Sequence, residues 1–289
     1  MTQARPARKP RQVYAFIDTN IFLDFYRQSN DATLKLLERL KPVRENIICS
    51  YQVEMEFLKN RQYVLLTALK EMKSPEPSTP PAIFADSATN KSLKAATNSA
   101  KKKADLIRNR VVKLLQNPKQ FDPVYQVLED VFHSQSNHVL TRDMGIRQSI
   151  KRKAWKRFVL GYPPRKSTDT SIGDALNWEW IIHCATQLQG KIVVVSRDSD
   201  YGVAVKEKYF LNDQLRQEFR DRVGQKSIVY TQRLSEALRY LHVNVTDEEV
   251  AAESESMRKT KRSKRVSFNL NAFMRAIEAS KSPVKSEIE

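Results

Sequence analysis

The chain has 289 residues, 40% of them hydrophobic, which is enough for one substantial core and an appended segment. Its 50 lysines and arginines outnumber 33 acidic residues, so the formal net charge is +17 and polyanions are the natural partners. Two cysteines without metal-ligand spacing argue against a disulfide framework or a zinc cluster, and no apolar run is long enough to span a bilayer. The basic segment 1–12 lacks the apolar stretch of a secretory signal, so we expect a cytoplasmic protein.

The first part of the chain, to about residue 73, predicts strands alternating with helices. An apolar run at 13–17 predicts a buried strand that ends at Asp18, and helices are expected within 21–41. A short strand at 46–50 and a helix from Tyr51 onward complete this part.

The middle of the chain, about 75–164, predicts a mostly helical insertion after a proline-rich breaker at 74–81. Trp155 and Phe158 lie among its basic residues, where they could stack on bases or pack into a core at the end of a helix. The basic charge itself could be a solvated helix surface or a nucleic-acid contact. We expect the following residues to bind nucleic acid: Lys101, Lys102, Lys103, Arg147, Lys151, Arg152, Lys153, Lys156 and Arg157.

The last part of the chain returns to strands alternating with helices. We predict helices near 173–188, 211–222 and 233–240, with strands at 191–196 and 227–230. This alternation on both sides of the insertion predicts one α/β domain over 13–245, a three-layer α/β/α structure around a mainly parallel sheet. From residue 246 the chain is charged and poor in apolar residues, so we expect 246–289 to be a disordered tail dispensable for folding.

Acidic residues stand where predicted strands end or helices begin. Asp18 follows the first strand, Asp174 opens a helix, and Asp198 and Asp200 follow the apolar strand at 191–196. Taken singly, each except Asp18 is better explained as a turn former or a first-turn helix residue. In a parallel sheet, however, the carboxyl ends of the strands share one edge, so these groups should converge. Convergent carboxylates are tolerated mainly when divalent cations neutralise them, and an oxygen-only shell suits Mg²⁺ or Mn²⁺.

Four short motifs in chain order resemble the PIN domain, a metal-dependent nuclease fold. They are FIDTNIFLD at 16–24, SYQVEMEF at 50–57, GDA at 173–175 and VSRDSDY at 195–201. The resemblance covers roughly 13–60 and 165–241 and is closest to the longer PIN-like branch, which has a Gly-Tyr-Pro-Pro-like loop before Gly-Asp. It implies a set of catalytic metal ligands, an alternate ligand at Asp200, and supporting roles for Asn20 and for Ser196, which replaces a common threonine. The implied catalytic ligands are Asp18, Glu56, Asp174 and Asp198.

The second motif offers two glutamates for one position. Glu54 and Glu56 lie ~200° apart on a helix, so both cannot face one site. In the resembled family the spacing from the serine that ends the strand to the acid matches the spacing from Ser50 to Glu56, and the apolar Phe57 also fits. We therefore assign Glu56, with Glu54 as the alternative.

The resemblance implies an endoribonuclease that hydrolyses phosphodiester bonds with Mg²⁺ or Mn²⁺, with RNA favoured over DNA as its substrate. The alternative is a PIN-like module that binds nucleic acid or a protein without cutting. A dehalogenase-type hydrolase is disfavoured because Asn20 stands where its second aspartate is needed. A dinucleotide-binding domain is disfavoured because no Gly-x-Gly-x-x-Gly motif follows the first strand.

Overall fold

A parallel sheet forms the centre of the computed structural model, which describes residues 12–28, 31–72, 76, 79–165 and 171–258. The chain runs from the central strand outward to one side, then returns and builds the other side. The strands lie in the spatial order β3-β2-β1-β4-β7. Their ranges are β1 (Gln12–Ile17), β2 (Ile47–Ser50), β3 (Val139–Leu140), β4 (Gly190–Val195) and β7 (Ile228–Thr231).

Helices cover both faces of this sheet, which confirms the predicted three-layer α/β/α class. The core lies between the layers and includes Phe16, Val193, Trp178 and Phe57. In the part of the chain that the structure describes, every helix is too short or too polar to cross a bilayer. The helices are α1 (Thr19–Asp24), α2 (Asp31–Glu38), α3 (Tyr51–Glu71), α4 (Ala88–Gln116), α5 (Pro118–Phe121), α6 (Pro123–Phe132), α7 (Arg147–Leu160), α8 (Gly173–Gln187), α9 (Asp213–Val223) and α10 (Leu234–Tyr240).

Short elements complete the fold. Two 3-10 helices occupy Lys41–Asn46 and Ala82–Phe84. A hairpin that the sequence did not predict, β5 (Gly202–Val205) with β6 (Lys208–Leu211), follows the loop after β4. Gly202 is needed in this hairpin because a Cβ there would lie 2.2 Å from the backbone oxygen of Phe210.

Much of the predicted insertion belongs to the domain itself. β3 extends the main sheet by pairing with β2, and α6 buries Val127, Leu128 and Val131 in the core. α7 packs along α8. Of the helices in the predicted excursion, α4 is the long one that remains mostly exposed. The prediction that 75–164 form an excursion was therefore wrong for α6, β3 and α7. A two-residue strand is too short to show an alternating pattern, so no local pattern indicates that the chain re-enters the sheet here.

The prediction of a disordered tail from residue 246 was also wrong at its start, because residues 247–258 form a helix. Arg39 Nε donates to Glu249 Oε1 at 2.9 Å, and both this glutamate and Glu253 are buried. Burying these carboxylates is compensated by specific donors, which composition alone cannot reveal. The basic segment before residue 12, most of the proline-rich breaker and the chain from 259 onward lie outside the described residues.

Glu253 supplies the N-terminal cap of α10 from the C-terminal helix. Its carboxylate accepts hydrogen bonds from the backbone amides of Leu234 at 2.6 Å and Ser235 at 3.1 Å, and from the Ser235 hydroxyl. The cap residue of α10 itself, Arg233, makes no side-chain cap hydrogen bond. The first amides of this helix therefore depend on a residue that the sequence assigned to a disordered tail.

Replacing Glu253 by alanine should lower the free energy of unfolding by about 1–3 kcal/mol, because buried donors at the start of α10 would lose their acceptor. Urea unfolding at neutral pH measures this change. Glu248→Ala, on the exposed side of the same helix, is the matched control. Equal midpoints for the two variants would contradict the capping role.

Candidate active site

The candidate site lies at the carboxyl end of β1, where the strand order reverses between β1 and β4. Open parallel sheets bind their ligands at such a switch point. Asp18 begins this region: its amide donates to the carbonyl oxygen of Val195 at 2.9 Å, and the residue caps the start of α1. The register of β1 with β4 therefore brings the residues after Val195 next to Asp18.

The side chain of Asp18 is held by the two residues that the resemblance marked as supporting. Its Oδ2 atom accepts hydrogen bonds from Ser196 Oγ at 2.5 Å and from Asn20 Nδ2 at 2.6 Å. The backbone amide of Arg197 donates to Asn20 Oδ1 at 3.3 Å, which fixes the orientation of the amide group. Asp18 is 5% exposed and its carboxylate is oriented before any ligand arrives.

Glu56 approaches the same region from α3. Thr19 Oγ1 donates to Glu56 Oε2 at 3.2 Å, and Gln52 Nε2 donates to Glu56 Oε1 at 2.7 Å. Glu54 faces elsewhere, with Oε1 3.7 Å from Nε2 of His133. Of the two glutamates, Glu56 is therefore the one that reaches the site; its chemical role remains a prediction.

Asp198 comes from the β4 side of the switch point, and Asp174 comes from the start of α8. Asp174 lies in the first turn of α8, where the helix dipole favours a negative charge. Asp198 follows β4; its amide donates to Ser196 Oγ at 3.0 Å and its Oδ1 accepts from the amide of Asp200 at 3.2 Å. Asp200 is half-buried beside Asp198 and does not line the cavity that Asp18, Asp174 and Asp198 share.

A cavity of about 290 Å³ brings the four predicted acids together. Its residues come from both sides of the switch point, from the starts of α1 and α8, and from α3. Four carboxylates in one small cavity produce a strongly negative potential there. The lining consists of Asp18, Thr19, Asn20, Leu23, Glu56, Asn60, Ser171, Gly173, Asp174 and Asp198.

Two buried groups respond to this negative potential. Burial raises the pKa of Asp18 to about 6, and the charges of Glu56 and Asp198 add to that rise, against the lowering effect of the Ser196 hydrogen bond. Tyr201 is completely buried; burial and then the charges of all four carboxylates, Asp174 first, raise the pKa of its hydroxyl. The four charges thus converge on one region of the interior.

This donor set fits a hard divalent cation. The cavity offers carboxylate, hydroxyl and amide oxygens, which are the ligands that Mg²⁺ and Mn²⁺ prefer. The pKa of Asp18 is raised, as expected for a buried carboxylate whose charge no cation neutralises. In the described part of the chain, no three or more carboxylate, imidazole or thiol side chains are arranged closely enough to hold a metal ion. The predicted approach of all four carboxylates to one common point therefore remains a prediction.

Sequence reasoning missed the residues that orient Glu56. Gln52, Glu56 and Asn60 follow one another at spacings of four along α3, and Asn60 Nδ2 donates to the carbonyl oxygen of Glu56 at 2.9 Å. Residues four apart share a helix face, so this row of polar side chains on a helix that also buries Val53 and Phe57 was the available signal. Thr19 and Ser171 line the cavity without any comparable signal in the sequence.

The predicted nucleic-acid-binding residues fall into three groups. Exposed lysines and arginines lie on α4 and on α7, whereas Arg147 is half-buried with its guanidinium 5.4 Å from the ring centre of Tyr51. Arg157 is buried: its Nη2 lies 3.0 Å from Glu179 Oε1, and it also pairs with Glu218. A nucleic-acid contact by Arg157 is therefore contradicted. The exposed residues are Lys101, Lys102 and Lys103 on α4 and Lys151, Arg152, Lys153 and Lys156 on α7.

A family model described as PIN domain matches residues 15–201, which is more than half of the chain. The chain therefore belongs to the PIN-domain family, whose members are generally nucleases that use divalent metal ions. The matched segment includes all four acids of the cavity and α4, and it ends just before the hairpin. Comparison with curated proteins and with solved structures finds no match.

Proposed function

We propose that the protein is a metal-dependent endonuclease that hydrolyses phosphodiester bonds, with RNA as the favoured substrate. The observation that carries this proposal is the cavity at the sheet switch point, which four carboxylates line in a chain of the PIN-domain family. RNA is favoured on family grounds alone, because no residue of the cavity is specific for the 2′-hydroxyl that distinguishes RNA from DNA. A strongly basic chain suits either nucleic acid.

The roles of the residues follow from their contacts. Asp18, Asp174 and Asp198 would hold Mg²⁺ or Mn²⁺, with Glu56 as a further ligand or as a base for water. Ser196 and Asn20 orient the Asp18 carboxylate by donating to its Oδ2 atom. Thr19 and Gln52 orient Glu56 by donating to its Oε2 and Oε1 atoms. Outer hydrogen bonds of this kind fix ligand geometry in metal sites.

The chemistry that a bound cation supplies in such a site is activation of water and stabilisation of charge on the phosphoryl oxygens. The chain contributes the negatively charged cavity that would hold the cation. The exposed lysines and arginines of α7 would attract the phosphate backbone, which makes binding salt-dependent.

The test is cleavage of end-labelled single-stranded RNA and DNA of the same sequence with Mg²⁺, with Mn²⁺ and with a chelator. Cleavage that requires the added metal supports the nuclease. Binding of the oligonucleotides without cleavage under any metal would favour the alternative, a PIN-domain module that binds nucleic acid without cutting. Binding of Mn²⁺ followed by paramagnetic resonance reports separately on whether the cavity holds a cation.

Gly173→Ala should reduce cleavage while leaving stability nearly unchanged. A Cβ at this position would lie 2.3 Å from Glu56 Oε1 and 2.8 Å from Gln52 Nε2, so the two side chains would have to move apart. Both atoms are the ends of flexible side chains, so the fold can accommodate the added methyl group. The Glu56 carboxylate, however, is displaced. We expect about a 10- to 100-fold loss of cleavage rate, as for lost outer-shell contacts.

The measurement is the single-turnover cleavage rate beside a thermal melting curve. Gly145→Ala is the matched control, because a Cβ there meets no atom within 4 Å. An unchanged cleavage rate in Gly173→Ala would show that the position of Glu56 is unimportant for the reaction.

A further inference from the structure

An aromatic pair lies on α7, with Trp155 exposed and Phe158 half-buried. Trp155 is 56% exposed, and its ring stacks on Phe158 with centroids 5.9 Å apart and planes 24° from parallel. The guanidinium of Arg165 lies 4.3 Å from the ring centre of Phe158, on the same aromatic pair. The other two tryptophans, Trp178 and Trp180, are buried. Large exposed aromatic surface is costly in water and commonly marks a binding site.

Positive charge surrounds this pair. Lys151 and Arg152 precede Trp155 by four and three residues and therefore share its face of the helix, and Lys156 follows it directly. All three are exposed, and the sequence from 144 to 165 contains no aspartate or glutamate. An aromatic platform among cations, in a stretch without acidic residues, complements a polyanion that carries flat rings.

The pair lies on the helix that leads toward the cavity. Arg157 contacts Glu179, and the pKa of His183 is lowered by burial and then by the charge of Lys153, so the two helices run antiparallel. The C-terminal end of α7 is therefore level with the end of α8 that carries Asp174. Trp155 therefore lies about two helical turns from the level of Asp174 along the paired helices.

We propose that α7 is a docking site for single-stranded nucleic acid, in which an unpaired base stacks on Trp155 while Lys151, Arg152 and Lys156 contact the backbone. This inference rests on the proposed nuclease function and deepens it, because it defines the substrate as a strand with unpaired bases. A duplex hides the faces of its bases within its own stack, so it cannot use the aromatic platform.

Tryptophan fluorescence tests the proposal directly, since Trp155 is the exposed one of three. The titration uses a 12-nucleotide single strand, and a duplex of the same sequence, in a chelator so that nothing is cut. We expect the single strand to quench the emission and the duplex to leave it nearly unchanged. Trp155→Phe should abolish the quenching, because the remaining tryptophans are buried.

Affinity measurements on two neighbouring residues separate stacking from charge. Trp155→Ala should weaken binding of the single strand about 10-fold without changing the salt dependence, since no charge is lost. Lys156→Ala should weaken single strand and duplex alike and reduce the salt slope by about one. A thermal melting curve confirms that each variant is folded.

Equal quenching by single strand and duplex, or unchanged affinity in Trp155→Ala, would overturn the docking site even if the protein cleaves RNA. Concentration-dependent self-association that disappears in Trp155→Ala, without quenching by nucleic acid, would instead identify an interface between copies of the chain. Quenching by the single strand in a protein that never cleaves would uphold the docking site and reject the nuclease. The two proposals therefore fail independently.

Discussion

Asp18→Asn should abolish metal-dependent cleavage while leaving binding of nucleic acid largely intact. Asparagine keeps the shape of the side chain and can still accept the hydrogen bonds of Ser196 and Asn20. It removes the charge that holds a divalent cation, so the loss should exceed the roughly 100-fold effect of a lost outer-shell partner. Binding should survive because the cations of α7 are untouched. Single-turnover cleavage and equilibrium binding measure the two effects.

The same substitution should leave the protein at least as stable as the wild type when no metal is added. Burial raises the pKa of Asp18 to about 6, and Glu56 and Asp198 add to that rise, so its negative charge is unfavourable in the folded protein. Removing that charge relieves repulsion among the carboxylates of the cavity. A marked fall in melting temperature would mean that Asp18 is chiefly a structural residue.

Two glutamates on one helix provide the matched control for chemistry. Glu56→Gln should lose cleavage as Asp18→Asn does, whereas Glu54→Gln should retain it, because Glu54 faces His133 outside the cavity. The substitution is the same in both cases and the positions are two residues apart. Equal losses in both variants would contradict the assignment of Glu56.

Arg157→Met should destabilise the protein by about 3 kcal/mol, because it removes one partner from a buried ionic cluster. Arg157 is a donor to Glu179 and to the carbonyl oxygen of Pro163 at 2.5 Å, and its side chain is 4% exposed. Trp178 Nε1 donates to Glu218 at 3.0 Å within the same cluster, so the damage would spread to a core residue. Urea unfolding at neutral pH measures the change.

The neighbouring lysine is the control for this prediction. Lys156→Ala removes a positive charge from the exposed side of the same helix turn and should change stability by less than about 0.5 kcal/mol. It should lower nucleic-acid affinity, which Arg157→Met should not do while the protein remains folded. Reversed results would restore Arg157 as a nucleic-acid contact.

Acid should probe the same cluster. Burial alone would raise the pKa of Glu179, but hydrogen bonds and charges of Arg222 and Arg157 outweigh it and lower the pKa. A lowered pKa means that the ionised form stabilises the folded protein, and this stabilisation is lost as pH falls below about 5. The Arg157→Met variant should therefore lose less stability than the wild type on acidification, because without Arg157 the pKa of Glu179 is lowered less.

The predictions that succeeded depend on local chemistry. A strand of apolar residues that ends in Asp18 has few alternative explanations, and the strands and helices around it alternate regularly. Helix geometry and family spacing favoured Glu56 over Glu54; Glu56 lines the cavity, while its role as a ligand stays a prediction. Such arguments need only the order of residues and the known shape of regular elements.

The predictions that failed depend on which side of a helix meets the rest of the chain. Arg157 and Lys156 are adjacent basic residues, yet one is buried against Glu179 and the other is exposed. Glu253 belongs to a segment whose composition suggests disorder. It nevertheless caps α10, because backbone amides more than fifteen residues away in the sequence lack another acceptor.

The sequence by itself determined the α/β class, the acids at the strand ends and the basic character of α7, because these follow from periodicity and residue type. The tertiary structure alone decided that β3 joins the sheet, that Thr19 and Gln52 hold Glu56, and that Trp155 is exposed while Arg157 is not. Pairing between distant residues depends on the path of the chain through space, and no local pattern encodes that path.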